Sequence, residues 1–415
     1  MGKNNQHLLR EYISLLLENA RREPLDLHIP GAVQDLYDRM RAAGKKLYIV
    51  GGAVRDALLD KRPHDYDLAT DATPDQVIRI LSRDIRLKLD LQGKAFGVVR
   101  VFTPDGEEYE IATFRKDIGK GKETEVEFTT IENDVNRRDL TMNALFYDLN
   151  SGEVVDYVGG IDDIRSGVTK AVGDPALRFA EDKLRMLRAA RFAGRTGFGI
   201  DPETAEAIRN DAGLRIGDGK VSGEERIAEE FKKGITSATS ASQYLGTLAD
   251  LGLVGQVFPG LSVDVNTGSE SDDPLVQIAL LLKENDPMLV RSTLGTSRYS
   301  NDEKNIVDFL IRFHNITPES APQLKKLFKR YEISDIPLYD FTDATGVPSR
   351  KNTQAFIEFA NLPPAGNSQE LMAQGLRGPE IGKAMATAES DVYAQMIGEN
   401  VLLARVYGSL LNEKF

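Results

Sequence analysis

The chain has 415 residues, 41% hydrophobic and 28% charged, which fits a soluble globular protein of several compact units and excludes a disordered or collagen-like chain. It has no cysteine and only four histidines (His7, His28, His64, His314), scattered along its length, so a disulfide framework, a thiolate metal site and a cysteine nucleophile are excluded. A net charge of −12 argues against a polyanionic partner, unless the basic residues are segregated locally.

Residues 7–20, HLLREYISLLLENA, space their apolar side chains by three, four and seven, which predicts an amphipathic N-terminal helix. No apolar run reaches the roughly 20 residues needed to span a bilayer, and the first residues lack a secretory h-region, so a cytoplasmic protein without membrane contact is expected. A helix follows around AVQDLYDRMRAAG, then a buried strand at Leu47–Val50, then the pair Gly51-Gly52 and a helix starting near Ala53. GVVRVF (97–102) and EEYEIATF (107–114) read as strands on either side of the turn Pro104-Asp105-Gly106. The part up to about residue 160 is therefore an α/β or α+β domain, and beyond about 174 helical spacing continues to the end.

Three constellations carry chemistry. In the first, glycines at the exit of a strand and the start of a helix let backbone amides face a phosphate, with Arg55 adding charge and Asp56 bracing the arginine. A plain strand-to-helix turn explains the glycines equally well. Asp65-Tyr66-Asp67 adds what a turn does not need: on a strand, residues i and i+2 put two carboxylates on one face, where a cation relieves their repulsion. Magnesium takes carboxylate and phosphate oxygens, and Glu110 is the candidate third carboxylate from a neighbouring strand; a surface glutamate is the alternative.

The second constellation is RRDLTMNA (137–144), read as the opening of a helix. Its arginines, Arg138 among them, suit a triphosphate, and Asp139 with Asn143 at i+4 suits a ribose; a capped surface helix is the other reading. In the third, EDKLRMLRAARF (181–192), Asp182, Arg185, Arg188 and Arg191 are expected to form one slowly drifting helical stripe. A carboxylate and a guanidinium one turn apart can face the Watson–Crick edge of a base, although each arginine alone could equally be a solvated cation. Here lies the local basic excess that the net charge conceals.

Taken in order, IVGGAVRD with HDYDLATDATP, TFRKD, RRDLTMNALFYD, DYVGGIDDIRSG, AEDKLRMLRAARFA and SGEERIAEEFKK resemble the class II tRNA nucleotidyltransferases and bacterial poly(A) polymerases, within the polymerase β-like nucleotidyltransferases. The resemblance implies an α+β nucleotidyltransferase head followed by an all-helical neck, body and tail. It places an N-terminal helical extension at 1–30, the head at 31–160, the neck at 161–235, and body and tail at 236–415. It further implies that Asp65 and Asp67 hold Mg²⁺, that Gly51, Gly52 and Arg55 contact the nucleotide, and that Arg138 and Asp139 take its phosphates and ribose. Asp182 and Arg185 would pair with the base of CTP or ATP, supported by Arg188 and Arg191. The implied reaction adds C, C and A to the 3′ end of tRNA, with no obligate protein partner; CC-only addition, A-only addition and poly(A) synthesis are the alternatives. Arg115 and Asp117, at the start of a glycine-containing loop, favour full CCA addition, and LQGKAFGVVRV lacks the paired arginines typical of the poly(A) polymerases. Lys325, Lys326, Lys329 and Arg330 are candidate tRNA backbone contacts, with a solvated helix end as the alternative.

Overall fold

The structure is a computed structural model and describes residues 20–118, 125–211, 213–214, 223–265 and 270–398. Most of the expected N-terminal helix, the GKGKET stretch of the loop after Asp117 and part of the turn after Asn266 lie outside the described residues. Contacts divide the chain into two compact units, Met1–Ser222 and Gly223–Phe415.

In the first unit, the described strands include β1 (Arg21–Pro24), β2 (Leu47–Val50), β3 (Asp67–Thr70), β4 (Lys88–Asp90), β5 (Val98–Phe102), β6 (Glu108–Thr113), β7 (Arg115–Ile118), β8 (Glu125–Phe128), β9 (Phe146–Asp148) and β10 (Glu153–Asp156), besides a short parallel pair, Val168–Thr169 with Gly199–Ile200. Eight of them form one sheet in the order β1-β10-β9-β2-β3-β6-β5-β4, antiparallel throughout except between β3 and β6. Strand β2 is buried along its whole length, which is why its four residues are all apolar. By contrast β6 alternates, burying Tyr109, Ile111 and Thr113 and turning Glu108 and Glu110 outward.

The Gly31–Ala42 helix buries Val33, Leu36, Tyr37 and Met40, the three-four spacing of a helix with one apolar face. Tyr48, Val50, Phe114, Phe146 and Val155 form a core cluster with Val135, Ala144 and Val172. The rings of Tyr48, Phe114 and Phe146 meet at centroid distances of 5.9 to 6.1 Å. This aromatic packing fixes β2 and β9 beneath the glycine turn and so sets the floor of the site described below.

Helices account for almost all the regular structure that follows. Leu184–Thr196 packs its buried face, Met186, Leu187, Ala189, Ala190 and Ala193, in the first unit. The second unit is helical throughout its described residues, from Glu224–Ser237 to Pro379–Ile397. Its core is aromatic: the rings of Phe309, Phe313, Phe328, Phe356, Phe359 and Tyr393 form a chain of contacts 5.1 to 6.4 Å apart. The helix Ala321–Arg330 lies over that core. It buries Leu324, Phe328 and Lys325 while leaving Lys326, Lys329 and Arg330 exposed. Of the four expected backbone contacts, Lys325 is therefore removed: its ammonium pairs with Glu389 Oε1 at 3.1 Å and sits 4.5 Å from the Phe359 ring centroid.

Candidate active site

Strand β2 ends at Val50, and the chain turns at Gly51 with φ +69° and ψ −118°, a conformation a side chain would strain. Gly51 N–H donates to Leu145 O at 3.1 Å, and Gly51 O accepts Arg55 N–H at 3.1 Å, which starts the Gly52–Leu58 helix. Val50 stands opposite Asp67 on one side and Phe146 on the other, so the turn, the head of β3 and the strand after RRDLTMNA share one edge.

Asp65 and Asp67 flank the start of β3. Tyr66, between them, is buried and donates its hydroxyl to His28 O at 2.7 Å, so both carboxylates turn outward, as expected from the alternation, although Asp65 precedes the strand. Neither carboxylate has a hydrogen bond or ion pair among the described residues. Desolvation by the surrounding protein pushes the Asp67 carboxyl above the usual carboxylate range, and Asp65 adds to this while Arg138 opposes it. The Leu68–Ile111 register puts Glu110 next to Asp67 on the outward face. Among the described residues, however, no three Asp, Glu or His side chains group closely enough to hold a metal, so Glu110 does not complete a three-carboxylate cluster in this conformation.

RRDLTMNA is not the helix its spacing suggests. The Ile131–Asn136 helix ends before it, Leu140 forms an antiparallel bridge to Ala171, and only Thr141–Asn143 makes a 3₁₀ turn. The reason is non-local: Val172 N–H donates to Asp139 O at 3.1 Å and Thr141 N–H to Lys170 O at 2.9 Å. Asp139 and Asn143 thus belong to different partnerships. Asn143 Oδ1 accepts Arg55 Nη1 at 2.7 Å and Asn143 O accepts Arg138 Nη1 at 3.0 Å, whereas Asp139 Oδ2 accepts Arg188 Nε at 2.6 Å. Burial of Asp139 favours its neutral form, but Arg188 and the Leu140 N–H outweigh this and hold its pKa below the ordinary value.

The one helix expected to carry the 181–192 stripe is in fact split between two, Pro175–Glu181 and Leu184–Thr196. Asp182 sits in the break with φ −149° and ψ 107°, its Oδ1 accepting Leu184 N–H at 3.1 Å and its carbonyl accepting Arg185 N–H at 3.1 Å. An aspartate at a new helix start satisfies amides that lack intrahelical partners, and that local gain ends the stripe at Arg185. Arg185 bridges Glu181 Oε2 at 2.6 Å and Arg137 O at 2.9 Å, joining this helix to the RRD turn.

Several members of the site were not singled out from sequence. Asp134 accepts Arg137 Nε at 2.8 Å through one oxygen and Arg138 Nη2 at 3.1 Å through the other. The Phe192 ring has the guanidinium carbons of Arg55, Arg188 and Arg191 at 5.1, 5.6 and 4.3 Å from its centroid. Arg195 Nη2 donates to Asp56 Oδ2 at 3.2 Å. Asp56 does brace Arg55, as expected, and only the Asp65–Asp67 and arginine-rich signals could have led to the others. Arg115 and Asp117 lie on β7, paired with β8; Arg115 N–H donates to Asp134 Oδ1 at 3.3 Å, which ties the ribbon to the same aspartate.

A model described as "Poly A polymerase head domain" matches residues 47–170, and one described as "Probable RNA and SrmB- binding site of polymerase A" matches residues 197–264. A CCA-adding enzyme of Lactobacillus helveticus (strain DPC 4571) is 31% identical over 364 residues, covering 83% of this chain and 88% of that protein. The chain belongs to the CCA-adding enzyme and poly(A) polymerase family. A Poly(A) polymerase I of Salmonella typhi is 44% identical over 195 residues, 43% of this chain and 40% of its own length. Among solved structures, the Bacillus stearothermophilus CCA-adding enzyme in complex with CTP has a TM-score of 0.64 at 26% identity, covering 92% of this chain and 100% of that one. The family's α+β head followed by helices is the architecture found here. Among the described residues no helix is long and apolar enough to cross a membrane.

Proposed function

We propose that this protein is a tRNA nucleotidyltransferase that adds C, C and A from CTP and ATP to the 3′ end of tRNA, without a nucleic-acid template, in the cytoplasm. The observation that carries CCA addition over poly(A) synthesis is coverage: the likeness to the Lactobacillus helveticus CCA-adding enzyme runs over 83% of this chain, and that to the poly(A) polymerase over 43%.

Asp65 and Asp67 fit a hard divalent cation such as Mg²⁺, because they are oxygen donors without competing hydrogen bonds among the described residues and repel each other; phosphate oxygens and water would fill the other positions. When bound, such a cation neutralises charge on the triphosphate and lowers the cost of forming an alkoxide at the attacking hydroxyl. The chain's own residues position the partners. Gly51 and Gly52 leave the turn open to a phosphate and Arg138 faces that turn; Asp182, Arg185, Arg188 and Arg191 are the groups we assign to base and phosphates, with Arg188 held by Asp139. The tRNA 3′-oxygen bonds to the α-phosphorus as the bond to the β-phosphate breaks, pyrophosphate departs and the hydroxyl proton passes to solvent. Catalysis rests on alignment and fixed charge. Body and tail helices, with Lys326, Lys329 and Arg330 exposed, would hold the tRNA backbone.

The test offers tRNA transcripts ending at the discriminator base, at C or at CC to the protein with Mg²⁺ and CTP, ATP or both. Addition that completes CCA and stops is expected; arrest at CC, addition of A alone, or long A tails would replace this reading with the corresponding alternative.

A further inference from the structure

Of the phenylalanines among the described residues, only Phe96 and Phe128 are exposed, at 55% and 41%. Leu91, also exposed, opens the same turn as Phe96: Lys94 N–H donates to Leu91 O at 3.0 Å and Phe96 N–H to Gly93 O at 2.9 Å. The β7–β8 ribbon brings Phe128 to this turn, where its Cε1 would lie 3.0 Å from a Cβ added to Gly97. Arg115 fastens the turn from the other strand of the ribbon, its Nη1 donating to Phe96 O while its own N–H donates to Asp134. Scattered apolar residues on a surface are ordinary, whereas aromatic rings gathered at one clamped turn mark a contact site.

The turn stands on the face of the sheet that carries Asp67. Directly paired residues share a face and alternate along each strand, so Val98 and Arg100 on β5, Ala112 and Glu110 on β6, and Ala69 and Asp67 on β3 lie on one side. Gly93 folds over that side, since a Cβ added to it would lie 3.1 Å from Val98 Cβ. Val98 is two strands across and two residues along from Asp67, so strand spacings of about 4.8 Å and rises of about 3.3 Å put their Cα atoms about 12 Å apart. The carboxylate and the rings extend into that gap, which leaves the span of one nucleotide from its 3′ oxygen to its base. Charge beside the turn is already spent: Lys94 pairs with Asp75 at 2.8 Å, and Arg100 with Asp90 at 3.0 Å and Glu108 at 3.3 Å. What the surface offers is therefore the face of a ring, which suits a flat, neutral base better than a phosphate.

We propose that Phe96 and Phe128 form a stacking platform for the RNA acceptor, holding the unpaired base at its 3′ end. The proposal rests on the nucleotidyltransferase reading above. Stacking accepts any base, because each has a π-face. An acceptor whose last base changes from the discriminator base to C needs that tolerance, whereas the incoming nucleotide must be chosen. The platform acts on the acceptor alone, so its loss separates tRNA binding from CTP binding.

The chain has no tryptophan, so Phe96→Trp and Phe128→Trp each place a single fluorescent reporter on the platform of the full-length protein. A base stacked on the indole quenches its emission. An acceptor-stem RNA hairpin ending in an unpaired discriminator base is expected to quench both variants, while the blunt hairpin without that base, or CTP alone, leaves them unchanged. In extension assays Phe96→Ala should raise KM for tRNA about five- to hundredfold, with KM for CTP and the melting temperature near wild type, and Phe96→Trp should restore it. The slope of tRNA affinity against salt should keep its wild-type value, because no charge is removed. A bound hairpin that does not quench, equal quenching by the blunt hairpin, or a Phe96→Ala loss that falls on CTP overturns the proposal. Sedimentation showing a wild-type dimer that Phe96→Ala abolishes, without quenching by RNA, makes the surface a contact between copies of the chain and overturns it too. Wild-type protein that binds the hairpin but extends no tRNA end counts against the function proposed above, and the quenching still decides what the platform holds.

Discussion

Replacing Lys325 by Met separates a structural lysine from an RNA contact. The Lys325 and Glu389 side chains are 5% and 9% exposed, and the ammonium makes its bond to Glu389 at 3.1 Å with Pro363 O at 3.5 Å. Methionine keeps most of the apolar stem and its packing, so the loss is the charge: Glu389 is left buried without its cation. Removing one partner of a buried pair costs about 3–5 kcal/mol, because the remaining charge stays desolvated. The Phe359 face lies 4.5 Å from the ammonium, and its loss adds up to about 2 kcal/mol. Urea unfolding of Lys325→Met should therefore show a loss of at least about 3 kcal/mol. Lys325→Met combined with Glu389→Leu should recover most of it, since a matched apolar pair removes the stranded charge. The salt dependence of tRNA binding should keep its wild-type slope in the variant. A Lys325→Met protein within about 0.5 kcal/mol of wild type, with a shallower salt slope, would instead make Lys325 an exposed phosphate contact.

Asp67→Asn should abolish nucleotide addition while leaving the melting temperature near wild type, because the carboxylate has no hydrogen bond to lose among the described residues; primer extension and thermal melts check both. Gly234→Ala should destabilise the helical unit by about 1–3 kcal/mol or more in urea unfolding, since the new Cβ would lie 2.1 Å from Tyr244 Cζ in a packed core. Asp139 has a folded pKa held below its ordinary value, so its pairing stabilises the protein above the unfolded pKa of about 4 and the gain is lost as pH falls through the lowered folded value. The stability gap between wild type and Asp139→Asn should accordingly be constant near neutrality and shrink below about pH 4, measured by urea unfolding at each pH.

Much of the head was legible because its signals are local. The unbroken apolar run of β2, the alternation of β5 and β6 around Pro104-Asp105-Gly106, and the glycine turn all stand where the pattern puts them. The outward pairing of Asp65 and Asp67 survives even though the strand begins only at Asp67, because Tyr66 between them is anchored inward. What pattern reading missed depends on partners distant in the chain. RRDLTMNA has helical spacing, but Ala171 and Val172 draw it into a bridge. Asp182 interrupts a run whose periodicity passes over it, since the phase of apolar residues is insensitive to one extended residue. Lys325 looks like its neighbours in KKLFKRY, and only Glu389 on another helix distinguishes it. Arg55 shows in the pattern as a cation beside a glycine turn, whereas its bond to Asn143 and its place over Phe192 depend on residues far along the chain.

The most direct measurement is single-nucleotide extension of a tRNA transcript ending at the discriminator base, with Mg²⁺, CTP and ATP, beside the same reaction with Asp65→Ala. Successive addition of C, C and A, then arrest, is expected of the wild type, and no addition of the variant. Unlimited A addition by the wild type, or undiminished extension by Asp65→Ala, would contradict it.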